Sequence, residues 1–433
     1  MGGGLLQLVA YGAQDAYLTG NPQITFWRGL FKRHTNFAME PFRVNLTGQA
    51  AWGTKHSAIL GRHADLISSA YLEVEMPAEV AGAQLVYTGG GTSTIQRRAG
   101  FNLLEYVELD IGGQVIDRLY GEFMFLWSTL AYTTDAREKM DALANTVLVP
   151  NGSCNNTTGR PFRSNLTYIP LMFFFARNPG TALPLIALQY HEVKINILWN
   201  KAKSIFKPAI GTVVQQTSSG PAQANLLVDY IYLDVDERRR MAQESHEYLI
   251  EQTQFNEDKG FATAQNRIDL TFNHPVKELI WVTQYSWRKA CTAPVPTASV
   301  APPAVNALGG LTYDALIYNC SLQLNGQDRV PSLPEEYYAA VQPYQHHSGG
   351  MFEDAAGTVG GVYMYSFALK PEEHQPSGTC NFSRIDTATL VFSVDGSKQV
   401  SMDDAYNADI RVYAINYNIL RIMSGMAGLA YSN

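Results

Sequence analysis

The chain has 433 residues, a net charge of −7, and 16% charged and 11% aromatic residues. An average soluble protein is about 25% charged, so the shortage of charge indicates that much of the surface faces other protein. The acidic balance argues against a protein that wraps nucleic acid. No run of 18 apolar residues predicts a membrane span, and Met1–Leu6 lacks the charged and apolar regions of a signal peptide.

Short segments in which apolar and polar residues alternate recur along the chain and predict half-buried β-strands. They are Leu72–Met76, Val107–Ile111, Val193–Ile197, Leu316–Leu324 and Tyr413–Ile419. The clearest alternation places Tyr318 on the buried face of its strand and Ile317 on the opposite face. Gly112-Gly113 and Asn325-Gly326 end two of the strands and predict tight hairpin turns. Many short strands separated by turns favour an antiparallel sandwich or barrel.

Three segments carry helix signals, and each is a connection between predicted strands. Tyr120–Ala144 has an acidic residue early and basic residues late, which suits the helix dipole. Asp236–Gln243 has Asp236 as its predicted N-cap, and Ser332–Ala340 has Ser332 as its predicted cap. Three further segments predict surface loops: Gly89–Gly100, Pro150–Pro161 and Cys291–Gly310.

An internal repeat indicates two copies of one domain. Leu109–Gln114 and Leu322–Gln327 have similar sequences. A second set recurs at a similar spacing, where Phe175-Ala176, Pro179 and Pro184 match Phe367-Ala368, Pro371 and Pro376. Because both matches occur in the same order and at nearly equal offset, we expect two β-domains of about 200 residues each. The boundary should fall near Asp234–Met241, after a predicted strand at Tyr230–Leu233.

Motifs for catalysis or cofactor binding are missing from the sequence. Gly89–Thr92 lacks the Lys of a phosphate-binding loop, so a flexible loop is favoured. His346-His347 with Glu353 invites comparison with cupin-type metal sites. Neighbours on a strand point to opposite faces, so hydrogen-bonded histidines in a loop or interface are favoured over metal ligands. The four cysteines form no CxxC pair and predict reduced thiols: Cys154, Cys291, Cys320 and Cys380.

Two basic segments each have a functional and a plainer interpretation. Arg238–Arg240 suits contact with an acidic partner or lipid headgroups, but a solvated helix face with Glu237 and Glu244 is favoured. Phe26–Arg33 mixes aromatic and basic residues, and an amphipathic first strand or arm is favoured over a binding strip. Of seven Asn-x-Ser/Thr sequons, only three in a polar loop are expected to accept glycans: Asn151, Asn155 and Asn156.

Motifs from the first residues to the last resemble those of a single family, the major capsid proteins of nucleocytoplasmic large DNA viruses, and among them the chlorovirus type. The most specific stretch is Tyr365–Pro371 with Gln375–Thr379 and Asn381–Asp386. The other similar segments are Gly12–Phe26, Arg33–Phe37, Asp65–Ile67, Ile111–Asp117, His246–Gln252, His274–Trp281, Val341–His347, Tyr413–Arg421 and Gly425–Tyr431. The likeness is weakest over Lys201–Ala224 and the Ala/Pro-rich loop at Cys291–Gly310.

The resemblance implies an all-β fold of two tandem antiparallel jelly-roll sandwiches, with short helices in the connections. It assigns residues 1–25 to an N-terminal arm, 26–236 to the first jelly roll and 237–433 to the second. Three chains would form a pseudo-hexagonal capsomer, and many capsomers would tile an icosahedral shell over an inner membrane. Obligate interfaces are depleted of charge at their centres, which would explain the low charge of the chain.

The implied partners are other copies of the chain in a homotrimer, neighbouring capsomers, minor capsid proteins and the inner virion membrane. The implied location is the virion, and the host cytoplasm during assembly. The resemblance implies no catalytic residue, metal, cofactor or direct nucleic-acid contact. Candidate interface residues combine apolar area with one polar end, and core packing is an equally weighted alternative: Tyr337, Tyr338, Tyr344, His346 and His347.

Three other functions stay open at this point. The first is a less abundant capsid paralogue or an assembly scaffold with the same fold. The second is a carbohydrate-binding jelly-roll protein, which would bind glycans as a monomer. The third is a cupin-type metal enzyme, which would carry stoichiometric metal.

Overall fold

The computed structural model describes residues 3–8, 10–27, 29, 32–75, 83–85, 99–144, 166–201, 206–208, 220–221, 223–261, 265–286, 313–352, 359–396 and 407–431. The chain divides into two compact units, Met1–Phe37 and Ala38–Asn433. Outside the described residues lie the predicted loops Pro150–Pro161 and Cys291–Gly310, most of the predicted loop Gly89–Gly100, and the sequon residues Asn151, Asn155 and Asn156. No helix in the described ranges is long and apolar enough to span a membrane.

The N-terminal unit contains two short helices, α1 (Gly3–Leu8) and α2 (Ala16–Thr19). The large apolar side chains that the structure describes in this unit are exposed, with Phe26 at 99% and Trp27 at 89%. The first strand of the chain begins only at Phe37. The sequence favours either a first strand or an arm for Phe26–Arg33, and the described residues of this segment fit an arm.

The first sandwich extends from Phe37 to Leu233. Its strands are β1 (Phe37–Asn45), β2 (Lys55–Ile59), β3 (Leu66–Glu75), β4 (Ala83–Leu85), β5 (Leu104–Ile111), β6 (Gln114–Tyr120), β7 (Leu166–Pro170), β8 (Leu183–Pro184), β9 (Val193–Trp199), β10 (Phe206–Pro208) and β11 (Gln223–Leu233). One sheet has the order β1-β11-β3-β7, with β8 beside β3, and the other has the order β2-β9-β5-β6. The short strands β4 and β10 pair with each other.

The second sandwich repeats this arrangement. Its strands are β12 (His246–Phe261), β13 (Gln265–Asp269), β14 (Pro275–Tyr285), β15 (Ile317–Leu324), β16 (Gln327–Pro334), β17 (Val362–Ser366), β18 (Cys380–Asn381), β19 (Ala388–Val394), β20 (Ala408–Met423) and β21 (Met426–Leu429). The sheets have the orders β12-β20-β14-β17 and β13-β19-β15-β16. Each half therefore has eight main strands in the same antiparallel order, that of a jelly roll. The short strands β4, β8, β10, β18 and β21 are additions to this pattern. The predicted fold is confirmed.

Short helices lie in the connections. They are α3 (Gly121–Leu130), α4 (Thr134–Ala144), α5 (Phe174–Arg177), α6 (Val235–Gln243) and α7 (Gln342–His346). Single turns of 3₁₀-helix occupy Ala99–Leu103, Pro179–Thr181, Leu185–Ala187 and Phe382–Arg384, and a π-helical turn occupies Tyr337–Val341.

Each of the three predicted helices needs a correction. The single helix expected over Tyr120–Ala144 is broken between α3 and α4, because the apolar α3 is buried while the polar α4 lies at the surface. The N-cap of α6 is Asp234, whose side chain accepts a hydrogen bond from the Val235 amide, and not Asp236. Ser332 is no cap, because β16 pairs with β15 as far as Pro334.

The predicted hairpins β5–β6 and β15–β16 occupy equivalent places in the two sandwiches, as the repeat indicates. Both turns have positive φ at their two central residues, Gly112-Gly113 and Asn325-Gly326, as a type I′ turn requires. The alternation predicted for β15 is wrong at its start. The pairing shifts between Ile317 and Asn319, so Ile317 is buried and Tyr318 is 61% exposed. An irregularity of this kind reverses which residues face the core.

Two hydrophobic cores fill the molecule, and the first extends beyond its own sandwich. It includes Ile280 and Val282 of β14, whereas the intervening Leu279 and Trp281 belong to the core of the second sandwich. Sheet β12-β20-β14-β17 is thus covered on both faces, which explains why β14 is buried at every position from Val276 onward.

The two described cysteines are free thiols, Cys320 buried and Cys380 partly buried. Burial raises the pKa of both thiols, which keeps them protonated and unreactive at neutral pH. The expectation of reduced thiols holds for this pair, while Cys154 and Cys291 lie outside the described residues.

Candidate assembly surfaces and the joint between the sandwiches

The joint between the sandwiches is formed by α3 of the first and by the outer face of sheet β12-β20-β14-β17 of the second. Nearly every residue of α3 is buried, and Phe123–Trp127 is apolar throughout, as expected for a helix covered on all sides. At its start, a Cβ on Gly121 would lie 2.3 Å from the Leu104 carbonyl oxygen. A residue without a side chain is therefore required where α3 leaves β6.

Arg411 on β20 and Glu122 on α3 form a bidentate ion pair inside the joint. Nε and Nη2 of Arg411 lie 2.6 and 2.7 Å from the Glu122 oxygens, and Nη2 also donates to Gln284. The Tyr413 hydroxyl donates to Glu122 at 2.5 Å. Burial opposes the charge of Arg411, but Glu122 outweighs burial and raises the pKa of the guanidinium. The pair therefore holds β20 against α3 in its charged form.

A second charged group links α5 to β12 and β14. Glu251 accepts from Lys277 Nζ at 2.7 Å and from Arg177 Nη1 at 2.8 Å. Both cations lie over the Trp127 ring, 4.9 Å for Arg177 and 5.4 Å for Lys277. Burial alone would raise the pKa of Glu251, but Lys277 and Arg177 lower it. Burial lowers the pKa of Lys277, against the opposing effect of Glu251.

Asp117 joins β6 to the second sandwich at the edge of the joint. Its carboxylate accepts the backbone N–H of Thr253 at 3.0 Å and of Arg118 at 2.9 Å. Next to it, the Gln252 side chain donates to the Ile116 carbonyl oxygen. Complete burial raises the pKa of Asp117 to about 6, because the two hydrogen bonds only partly offset desolvation.

Residues His347–Gly350, here called the clasp, reach from the second sandwich to the C-terminal end of α3. The Gly349 N–H donates to the Leu130 carbonyl at 2.7 Å, and the Gly350 N–H donates to the Thr129 carbonyl at 2.9 Å. These carbonyls have no partner within an isolated helix. A Cβ on Gly349 would lie 2.3 Å from each of the two carbonyl oxygens. The clasp thus ends α3, and it needs glycine to do so.

His347 anchors the clasp to the second sandwich. Its Nε2 lies 3.0 Å from Glu278 Oε2, and its Nδ1 lies 2.9 Å from Glu372 Oε1. Glu372 also accepts from the N–H and hydroxyl of Ser348. The Trp127 ring of α3 meets the imidazole edge to face at 5.9 Å. Burial would lower the pKa of His347, but the two carboxylates outweigh it and raise the pKa to about 9.

The structure separates the five interface candidates into buried and accessible residues. Tyr338 and His347 are buried within the chain, and the Tyr338 hydroxyl donates to the Cys320 carbonyl. For these two the structure favours core packing, the equally weighted alternative, because their side chains pack in the chain's own interior. Tyr337 is partly buried, and His346 Nδ1 lies 3.1 Å from the Leu369 carbonyl oxygen. Tyr344 is 87% exposed.

The remaining sequence candidates lie elsewhere. In the described part of the chain, no three His, Cys, Asp or Glu side chains are grouped as a metal site, and Glu353 lies outside that part. Arg238 on α6 forms two hydrogen bonds with the buried Asp65, and Arg240 pairs with Glu244. The solvated helix face was therefore the better interpretation of the basic cluster, with Arg238 as its fixed member.

Sequence reasoning missed the charged residues of the joint. The available signal was a pair of charged residues within an otherwise apolar segment, as in Asp409-Ile-Arg-Val-Tyr413 or Pro275-Val-Lys-Glu-Leu279. A charge in such a position is seldom fully buried unless it is paired. The partner lies far away in sequence. The sequence could therefore indicate the unusual charge, but not the residue that pairs with it.

Two family models match almost the whole chain. One, described as major capsid protein N-terminus, matches residues 25–234, and the other, described as large eukaryotic DNA virus major capsid protein, matches residues 237–428. The chain belongs to this family. It is a structural protein of the virion capsid, as the resemblance implies.

Individual relatives match this chain over their full length. The chain is 43% identical to the major capsid protein of Pyramimonas orientalis virus and 40% identical to that of Paramecium bursaria Chlorella virus 1, with 100% of both sequences covered in each case. It is also similar to the crystal structure of PBCV-1 VP54, with a TM-score of 0.73 and 35% identity. That match covers 94% of this chain and 100% of VP54.

Among the described residues of this major capsid protein, one sheet face lacks the cover that its counterpart has. The outer face of β1-β11-β3-β7 carries Ser69, Tyr71 and Leu227, which are all partly exposed. On the same face Arg43 lies 2.9 Å from Glu73, and it remains 58% exposed. The equivalent face of the second sandwich is the one that α3 covers in the joint. The first sandwich therefore presents an open face of the kind that the joint closes.

Proposed function

We propose that three copies of this major capsid protein form a pseudo-hexagonal capsomer, and that many capsomers tile the icosahedral shell of a large DNA virus. The observation that carries the proposal is the presence of two sandwiches with one strand order in one compact unit. Three chains then supply six similar sandwiches. The joint fixes the two sandwiches of each chain relative to each other, so that the ring can close.

The joint suggests how neighbouring chains meet. Inside one chain, the helix after β6 covers the outer face of the sheet that contains β14. In a ring of six similar sandwiches, the segment after β16 would cover the sheet that contains β3 in the next chain. Such a head-to-tail interface closes into a ring when its rotation allows. The open face of the first sandwich is then the surface that receives the neighbour.

The segment after β16 has the side chains for this contact. Tyr337–Val341 and α7 occupy the same place after their hairpin as α3 does after β6, and they present Val341 and Tyr344 to solvent. Tyr combines a large apolar ring with a polar tip, which suits a surface that is exposed before assembly and covered after it. Tyr337 and His346 flank this contact, and Tyr344 is its centre.

The finer assignments belong to the same proposal. We place the boundary between the two jelly rolls at residues 236 and 237, supported by two family models that meet between residues 234 and 237. We extend the arm from the expected residues 1–25 to residue 36, because the first described strand begins at Phe37. Exposed Phe26 and Trp27 support contacts of the arm with minor capsid proteins or with the inner membrane. The role is structural, without catalysis or cofactor. Glycans at Asn151, Asn155 and Asn156 remain a prediction.

Light scattering of the purified protein, together with negative-stain microscopy, tests the trimer. We expect three times the chain mass of 47.9 kDa and hexagonal particles. Tyr344→Glu places a charge in the proposed contact and should give monomers. Tyr318→Glu is the matched control, because Tyr318 is also exposed but lies on β15, and it should stay trimeric. A stable wild-type monomer would contradict the capsomer. Absence of the protein from mature particles would favour the scaffold alternative.

A further inference from the structure

The clasp holds a histidine whose hydrogen bonds require a proton on each ring nitrogen. Both nitrogens of His347 lie within 3.0 Å of carboxylate oxygens, Glu278 on one side and Glu372 on the other. A neutral imidazole has one N–H and one lone pair, so it can donate to only one of them. The arrangement therefore fits the imidazolium form and disfavours the neutral ring.

Glu278 depends on this proton more than Glu372 does. Its side chain is fully buried, and its second oxygen, Oε1, accepts no hydrogen bond from the described residues. Glu372 is partly exposed and is also held by Ser348. A neutral His347 keeps one N–H, so either Glu278 loses its only hydrogen-bond donor among the described residues or Glu372 loses its bond to the ring. A buried charge that loses its partner is strongly destabilising.

His347 directly follows α7, the helix that presents Tyr344. The N-terminal end of α7 is held by Gln342, whose side chain accepts the Ser366 N–H at 3.1 Å. Its C-terminal end is held by His346 and by the clasp, of which the clasp alone connects to α3 across the joint. The position of Tyr344 relative to the first sandwich of the same chain therefore depends on His347.

Other charged groups surround this position. They lie on every element packed against the clasp: Glu278 and Lys277 on β14, Glu372 after β17, Glu251 on β12, Arg177 on α5, Tyr417 on β20 and Arg137 on α4. Burial raises the pKa of Tyr417 and lowers that of Lys277, so Lys277 also contributes to pH dependence on the alkaline side. A variant of His347 is needed to separate the two contributions.

We propose that the charge of His347 controls assembly through the clasp. The protonated ring holds the Tyr344 helix against the joint, and loss of the proton releases the helix and weakens the trimer. The inference rests on the proposed trimer and names its regulation. The raised pKa agrees with the geometry. Because it is higher in the folded protein than the ordinary value of 6.5, the stabilisation is complete below 6.5 and is lost as pH rises through about 9.

The experiment compares the wild type, His347→Gln and His246→Gln between pH 7 and pH 10.5. His246 is the matched control, because it lies outside the proposed contact and its ring is bonded to a backbone carbonyl, that of Met241. Sedimentation velocity gives the trimer fraction, and thermal or urea unfolding gives stability. For the wild type we expect the unfolding constant to rise by about two orders of magnitude over this range, with the trimer lost near pH 9.

His347→Gln should be weaker at pH 7 and should show a flatter pH dependence in both measurements, whereas His246→Gln should follow the wild type. Full wild-type pH dependence in His347→Gln would overturn the proposal. A trimer fraction that does not change with pH, although the unfolding constant does, would also overturn the proposal. If His347→Gln does not fold, Glu372→Gln replaces it and should lower the pH at which the trimer is lost. An unchanged midpoint in Glu372→Gln would count against the proposal.

Failure of the trimer itself would look different. In that case the wild type would be a monomer at every pH, which contradicts the proposed function and, with it, the coupling to assembly. The pH dependence of monomer unfolding would still show whether His347 carries a proton that stabilises the joint. The two failures therefore give separate results.

Discussion

The two sandwiches have the same strand order but bury different numbers of sheet faces within the chain. Sheet β12-β20-β14-β17 is covered on one face by its own core and on the other by α3, and Arg411 and Lys277 lie under that cover with less than 2% exposure. In the described part of the chain, sheet β1-β11-β3-β7 has one covered face, and its ion pair joins the buried Glu73 to Arg43, which is 58% exposed. The cations of the second sheet thus lie under cover, whereas the cation of this pair stays at the surface.

The largest effect is expected at the covered ion pair. Arg411→Met removes the guanidinium and leaves the largely buried Glu122 without its cation, although the Tyr413 hydroxyl still donates to it, which should lower the free energy of unfolding by about 3–5 kcal/mol. Urea unfolding followed by tryptophan fluorescence measures it. The double variant Arg411→Met with Glu122→Gln should recover part of the loss, because no unpaired charge remains. A loss below about 1 kcal/mol in the single variant would show that water reaches the Glu122 carboxylate in the joint.

A pH effect of similar size is expected from Asp117. Its pKa is higher in the folded protein than its ordinary value of 3.8, so its contribution to stability is greatest below 3.8 and falls as pH rises to about 6. The shift of about two units corresponds to about 3 kcal/mol at most. Asp117→Asn should remove this slope between pH 4 and pH 6. Asp110→Asn, near the turn of the same hairpin, should keep it, and a retained slope in Asp117→Asn would refute the assignment.

A smaller loss is expected at the clasp. Gly349→Ala pushes a methyl group against two carbonyl oxygens of α3, so the clasp must move away, at about 1–3 kcal/mol. Gly396→Ala is the control, because a Cβ there meets nothing within 4 Å. Thermal unfolding distinguishes the two variants. Equal melting temperatures would mean that α3 ends without help from the second sandwich.

The smallest effect in the free chain is expected on the open face. Arg43→Ala removes an exposed partner of Glu73, and water can replace it, so we expect a loss of about 0.2–1 kcal/mol. The Tyr168 hydroxyl still donates to Glu73 at 3.1 Å. If the open face is covered in the trimer, the same change should weaken the trimer more than it weakens the chain. Equal effects in both states would place the face outside the interface.

Much of the fold could be predicted because its signals are local. The hairpin turns at Gly112-Gly113 and Asn325-Gly326 need positive φ, and residues that tolerate it stand at those places. Because the internal repeat includes both turns, it predicted the same hairpin in both halves. Errors appeared where tertiary contacts decided the outcome. Tyr318 turned outward at an irregularity in pairing, and Ser332 stayed in a strand because β15 was there to pair with it.

The joint could not be predicted in the same way. Arg411 and Glu122 are 289 residues apart in the chain. Lys277 and Glu251 lie on two strands of one sheet, but they need Arg177 and Trp127 from the other half. Each charge can be recognised as unusual in its apolar segment, yet no local rule names its partner. The same limit explains why Tyr338 and Tyr344 looked alike as interface candidates, although one is buried and the other exposed.

The position of β20 in the joint has a consequence for synthesis. Strand β20 (Ala408–Met423) lies at the centre of the sheet that covers α3, and it is synthesised well after α3. Until then the face of α3 that packs on this sheet is uncovered. Nascent chains with such exposed helices aggregate readily at the concentrations of a producing cell. The first sandwich therefore cannot complete its packing until the second sandwich has been synthesised.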